Sequence, residues 1–223
     1  MSDRHLSKPN QNLPMLNTSS QRGANEGFSL QNIEQKNSTA ILDFLKPETT
    51  LECELLEQPC FKDGLFWGVP RYGHPEGEVI YHIKEVLDNI DKLDVSTDCR
   101  AMLRLVAFIH DTFKYKEHKG FPRDWTQHHA ILARQFAEGF IHDQKLLDII
   151  ELHDEAYHIW IQFEIKKNKV NGQKRLDAFL NKMNGSIQFY YLFFKCDTQT
   201  GDKNQAPVKW FEENIKGISI MNF

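Results

Sequence analysis

An all-α fold is predicted by two features of the sequence. Apolar residues recur at three- and four-residue spacing through four successive segments between residues 78 and 157, the pattern of helices with one buried stripe. Hydrophobic residues make up 40% of the 223, including 16 Phe, 6 Tyr and 4 Trp, enough to fill one sizeable core. Together they describe a single compact helical bundle over residues 27–223.

The elements follow in chain order. Residues 1–26 are rich in Asn, Ser, Gln and Pro with few large apolar side chains, and read as a mobile N-terminal tail. Apolar density rises from Gly27, and Thr39–Leu45 and Leu51–Leu56 have the composition of short helices leading into the core. Pro and Gly then punctuate Gln58–Gly77, which reads as a structured loop. Helices are predicted over Glu78–Asp91 (Val79, Ile83, Val86, Ile90), Arg100–Phe113 (Leu103, Val106, Ala107), Thr126–Phe140 (Ala133, Phe136, Phe140) and Lys145–Tyr157 (Leu146, Ile150, Tyr157). Ser186–Asp197 is apolar nearly all round, so period does not separate helix from strand there; its helical neighbours favour helix. Pro207 suits the first turn of a short terminal helix, Pro207–Ile215.

Charge and composition exclude several classes of function. With 27 Lys+Arg against 31 Asp+Glu the formal charge is −4, which offers no overall attraction to nucleic acid or anionic lipid. No apolar run reaches the ~18–20 residues of a membrane helix, and the N-terminus has no stretch resembling a signal peptide, so a cytoplasmic protein is expected. Cys53, Cys60, Cys99 and Cys196 are too scattered for CxxC knuckles and read as buried thiols.

The histidines point further. Nine of ten lie between residues 74 and 158, and imidazole is the commonest ligand of transition metals. His82 shares the Val79–Val86 stripe, His110 continues Leu103, Val106 and Ala107, and His153 lies on the Ile150–Tyr157 line. His129 leads Ala133, Phe136 and Phe140, whereas His128 leads a more mixed face. Asp197 closes an almost wholly apolar segment, and Asp111 adjoins His110. Singly, each has an ordinary explanation as a hydrogen-bonded core histidine or a capping Asp. Five helices each offering an inward His or Asp are different. Burying such a group unpaired costs several kcal/mol, and a shared divalent cation, or a pair, compensates them all.

The order His82, then His110-Asp111, then a distant Asp197 resembles the HD superfamily of metal-dependent phosphohydrolases, which is all-helical and named for the adjacent His-Asp pair. HPEGEVIYHIKEVLDNI (74–90) is similar to the family's first-helix motif and LVAFIHDTFKY (105–115) to its signature. HHAILARQFAEGF (128–140) and IIELHDEAYHIW (149–160) resemble the two further His-bearing segments of dinuclear members, and FFKCDTQTGDK (193–203) supplies the closing Asp. The resemblance spans about residues 70–205 and rests on five ordered segments rather than on the dipeptide.

It implies one metal held by His82, His110, Asp111 and Asp197, and a second completed by His129 and His153 with Asp111 bridging; His128 is the alternative to His129. The alternative for the second site is that one metal binds and the extra histidines contact phosphate. Mixed imidazole and carboxylate ligands suit one or two divalent ions of Mn, Fe, Co, Ni or Zn, with Mg compatible. Asp111 and Lys114 are the expected catalytic residues. Lys114, His74 and Arg71 are the candidate substrate contacts, Asp154 and Glu155 could orient His153 or relay protons, and Asp202 and Lys203 could form part of the rim. The chain lacks the HHE…GYP signature of the cyclic-di-GMP phosphodiesterase branch and the acidic pair after HD seen in alarmone hydrolases. The HPEG segment is similar to that of HD domains attached to bacterial tRNA nucleotidyltransferases, but no nucleotidyltransferase domain accompanies it.

The expected activity is hydrolysis of a phosphomonoester or phosphodiester by a metal-activated water, on a nucleotide or another small phosphate ester, with no membrane or nucleic-acid partner and homo-oligomer formation left open. A di-iron oxygenase built on this fold and a non-catalytic metal-binding helical domain are the alternatives.

Overall fold

The computed structural model describes the backbone of residues 30–222 and side chains from residue 38 onward; the expected tail, 1–26, lies outside the described residues. Every regular element among them is helical, with a single isolated bridge between Arg71 and His74. The all-α expectation is therefore met, and none of the described helices is long and apolar enough to cross a membrane.

Helix α1 (Leu30–Leu45) leads to α2 (Thr50–Glu57), whose start is fixed by a capping box: Thr49 accepts from the Glu52 amide, and the Glu52 carboxylate accepts from the Thr49 amide. The same buried carboxylate accepts from Arg104 Nε at 2.9 Å, tying α2 to the helix that carries Arg104. Residues 58–77 are not loop throughout. Pro59 opens a short helix, α3 (Pro59–Leu65), because proline in a first turn costs no hydrogen bond. Gly64 in α3 lies against the main chain of Thr112: a Cβ built there would sit 1.8 Å from the Thr112 carbonyl oxygen.

Helices α4 (Val79–Ile90) and α5 (Thr97–Ile109, capped by Ser96) bury the predicted stripes, including Ile83, Val86, Leu103 and Val106. Helix α5 stops four residues before the expected Phe113, which leaves Asp111 in a turn. Helices α6 (His129–Ala137) and α7 (Gln144–Leu152) pack together, clasped by Arg134 Nη1 on Asp148 (2.6 Å) and Glu151 (2.7 Å). The single helix expected over Lys145–Tyr157 breaks at His153–Asp154 and resumes as α8 (Glu155–Trp160), which runs into a π-turn over Ile161–Ile165.

A mostly exposed helix, α9 (Lys169–Lys182), follows; it has no counterpart in the predicted elements. Helix α10 (Ile187–Thr198) resolves the ambiguous segment as helix. It packs on α4 and α5 with Tyr190 through Thr198 all buried, an element at the centre of the core. Helix α11 (Ala206–Asn214) places Pro207 in its first turn as expected. Of the four cysteines only Cys196 is buried; Cys53 is exposed, Cys60 and Cys99 are half-buried, and all four are free thiols.

Candidate metal centre

Three of the four inward imidazoles stand at helix ends, where a side chain can leave its own helix and reach between others. His110 follows the last residue of α5, His153 follows α7, and His129 opens α6; His82 lies in the first turn of α4. All four are buried, as are Asp111 and Asp197.

They converge as two sets. In the first, His82 Nε2 lies 2.9 Å from Asp197 Oδ1, 3.2 Å from His110 Nε2 and 3.5 Å from Asp111 Oδ2. His110 Nε2 is 3.6 Å from both carboxylates. In the second, His129 Nε2 and His153 Nε2 are 3.2 Å apart, each 3.4 Å from Asp111 Oδ1. Asp154 Oδ2 completes it, 3.3 Å from His129 and 3.6 Å from His153. Asp111 thus presents one oxygen to each set.

The donors suit a cation on two grounds. Atoms bound 2.0–2.2 Å from one ion lie roughly 2.8–3.6 Å from each other, the span observed here. The lone pairs also face inward. His110 Nδ1 donates to Ala107 O at 2.9 Å, His153 Nδ1 to Ile150 O at 2.8 Å and His129 Nδ1 to Glu117 Oε2 at 3.2 Å. Thr200 Oγ1 spends its proton on Asp197 O, so it accepts from His82 Nδ1 at 3.3 Å. With each Nδ1 proton committed outward, a neutral imidazole here would turn an unprotonated Nε2 toward its neighbours and the carboxylates, an arrangement that calls for positive charge between them, supplied by a further proton or by a cation. Asp111 Oδ1 is buried without a hydrogen-bond partner.

The electrostatics agree. Burial opposes charge on His129, but Asp111, Asp154 and Glu117 outweigh it and raise its pKa to about 10. His153 shifts upward too, because Asp154 and Asp111 overcome its burial. His82 goes the other way, to about 3, through burial and the nearby Lys203. Burial disfavours the ionised forms of Asp111 and Asp197, yet Lys114 and Lys203 respectively, with the surrounding imidazoles, hold both well below the usual carboxylate range. A proton on His129 holds the positive charge that the carboxylates of the second set call for.

His128 does not join either set: its Nδ1 accepts from the Ala130 amide at 3.3 Å and caps α6, so the choice between neighbours falls on His129. Two residues were placed differently by the sequence. Asp154 points into the second set, where its carboxylate faces both His129 and His153, because the helix breaks just before it. Glu155 turns away to Arg175 (2.7 Å). Glu117, which backs His129, carries no periodic signal, since it lies in the irregular segment between α5 and α6. The Glu76 carboxylate, 3.5 Å from His82 Nδ1 and 2.8 Å from His74 Nδ1, sits in a Gly/Pro-rich turn with equally little pattern.

A cavity of ≈ 290 Å³ opens beside the donors and is lined by Asp111, Asp154 and Asp197 together with Lys114, His74 and Lys203. Lys114 Nζ bonds Asp111 Oδ2, and Lys203 Nζ lies 2.8 Å from Asp197 Oδ1. Arg71 is not on this wall; its exposed guanidinium lies over Trp67, 5.8 Å from the ring centre. Asp202 forms the rim, accepting from the Gly73 amide at 2.6 Å and so joining residues 71–74 to 198–203. No protein-family model matches the chain, and searches of curated proteins and of solved structures find no match either.

Proposed function

We propose that this chain is a metal-dependent phosphohydrolase of the HD type, cleaving a phosphomonoester or phosphodiester of a nucleotide or another small molecule. The observation behind it is Asp111, whose two oxygens each face a separate pair of imidazoles. His82, His110, Asp111 and Asp197 would hold one divalent ion; His129, His153, Asp154 and the other Asp111 oxygen would hold a second. Such ions supply Lewis-acid polarisation of a phosphoryl oxygen and acidify water toward hydroxide near neutral pH. The protein's own part is to orient and neutralise. Lys114, kept charged because Asp111 and Asp154 outweigh its burial, reaches the cavity as a partner for phosphoryl oxygen.

The test is elemental analysis of the protein as isolated, followed by Mn²⁺-supplemented assays on phosphomonoester and phosphodiester reporters. Stoichiometric transition metal and phosphate-ester hydrolysis are expected, and Asp111→Ala should abolish hydrolysis while the helical circular dichroism spectrum persists. Iron with oxygen consumption and no hydrolysis would replace this reading by an oxygenase. Absence of stoichiometric metal, with His110→Ala unaltered in folding and activity, would leave a helical binding domain.

A further inference from the structure

We infer that the cavity takes the dianion of a phosphomonoester of a compact, ring-bearing alcohol, with Lys114 and Lys203 both contacting its phosphoryl oxygens. This inference rests on the phosphohydrolase reading and narrows it to one ester class.

The two lysines flank the donors from different elements. Lys114 opens the 3-10 turn after Asp111 and bonds that residue, whereas Lys203 comes from the rim after α10 and bonds Asp197 through both its side chain and, at 3.1 Å, its carbonyl. Their side chains are only 16% and 18% exposed, so each ammonium group is largely stripped of water and strong as an anion partner. Before the metal-bound water ionises, cations in both donor sets, added to these ammonium groups, would outweigh Asp111, Asp154, Asp197 and Glu76, whose side chain is 4% exposed, by two charges. A dianion cancels that surplus. A phosphodiester, with one charge, would leave positive charge buried and unpaired.

Size and wall chemistry narrow the organic part. A cavity of ≈ 290 Å³ lies at the small end of ligand sites, leaving room for a phosphate and one compact group. Beyond the charged floor the lining includes Tyr72, Tyr157, Phe194 and Pro207 beside the polar Thr198 and Asn204, and the aromatic side chains offer surfaces on which a flat ring stacks.

The experiment uses the full chain at saturating Mn²⁺, with metal content measured on each sample. At pH 8 inorganic phosphate is mainly a dianion, whereas dimethyl phosphate carries one charge; both are titrated calorimetrically. Phosphate should bind at least about tenfold more tightly, and p-nitrophenyl phosphate should be hydrolysed in preference to its bis ester. Lys114→Met and Lys203→Met, compared at wild-type metal content, should each weaken phosphate binding by at least about fivefold. Equal or tighter binding of dimethyl phosphate, no binding of phosphate by metal-loaded protein, or unchanged affinity in either variant overturns this inference alone. Protein that takes up no metal overturns the phosphohydrolase reading with it.

Discussion

His129 Nδ1 lies 3.2 Å from Glu117 Oε2, so the imidazole that opens α6 is backed by a carboxylate rather than by a main-chain oxygen. Glu117 is held in turn by Arg123, and the bond from His129 lowers its pKa to about 2. It is therefore a full anion at neutral pH, raising the basicity of the ring it supports.

Glu117→Gln keeps an acceptor but removes that charge. Outer partners of this kind are worth roughly 10–100-fold in metal affinity. Chelator competition should show affinity at the His129–His153 set falling by about that factor, with helicity unchanged. An unaltered competition curve would mean that Glu117 does not act through His129.

Asp154 and Asp197 belong to different sets, so their alanine variants should differ in kind. Asp154→Ala should lose one ion and retain the other, while Asp197→Ala should spare the ion at His129 and His153. Metal stoichiometry after equilibrium dialysis distinguishes them. Loss of both ions from Asp154→Ala would show that the sets do not load independently.

The pH dependence follows from His129, whose pKa is raised from 6.5 to about 10. A group whose folded value is raised adds stability that is fully present below about pH 6.5 and is lost as pH climbs toward 10. Metal-free protein should therefore lose stability across that window. A cation must displace the same proton, so apparent affinity at the second set should rise with pH, by up to roughly tenfold per unit. Titrations in buffers of different ionisation enthalpy should reveal proton release; none would show His129 already unprotonated.

Gly64→Ala places a methyl group 1.8 Å from the Thr112 carbonyl oxygen, main chain that cannot move without carrying Asp111 along. Overpacking against so rigid a neighbour should cost about 3 kcal/mol or more. Urea unfolding would measure it, and metal content should fall as well; a variant of wild-type stability would show that α3 shifts freely.

The parts of this molecule legible in its sequence are those governed by a regular period. Val79, Ile83 and Val86 marked α4, and the same stripe placed His82 inward; Leu103 and Val106 did so for α5 and His110. What escaped lies where period fails. Pro59 reads as punctuation although it starts α3, and α9 buries little beyond Gly172 and Phe179, so its apolar stripe is too thin to register. Asp154 was hidden by a break that leaves no mark in spacing, since Ile150, His153 and Tyr157 fit one unbroken helix equally well. Glu117 and Glu76 sit in irregular backbone, where their neighbours are chosen by tertiary contacts alone.

His110 and His153 are each aimed by the carbonyl oxygen three residues earlier in their own helix. Side-chain replacement elsewhere leaves that aim intact as long as the helix ends where it does, so one imidazole in each pair is anchored by peptide geometry itself. The other, His82 or His129, leans on Thr200, Glu76 or Glu117, groups a single codon change can alter. Any adjustment of the centre to a cation would thereby be confined to half of its imidazoles, while the remaining half keeps a constant frame.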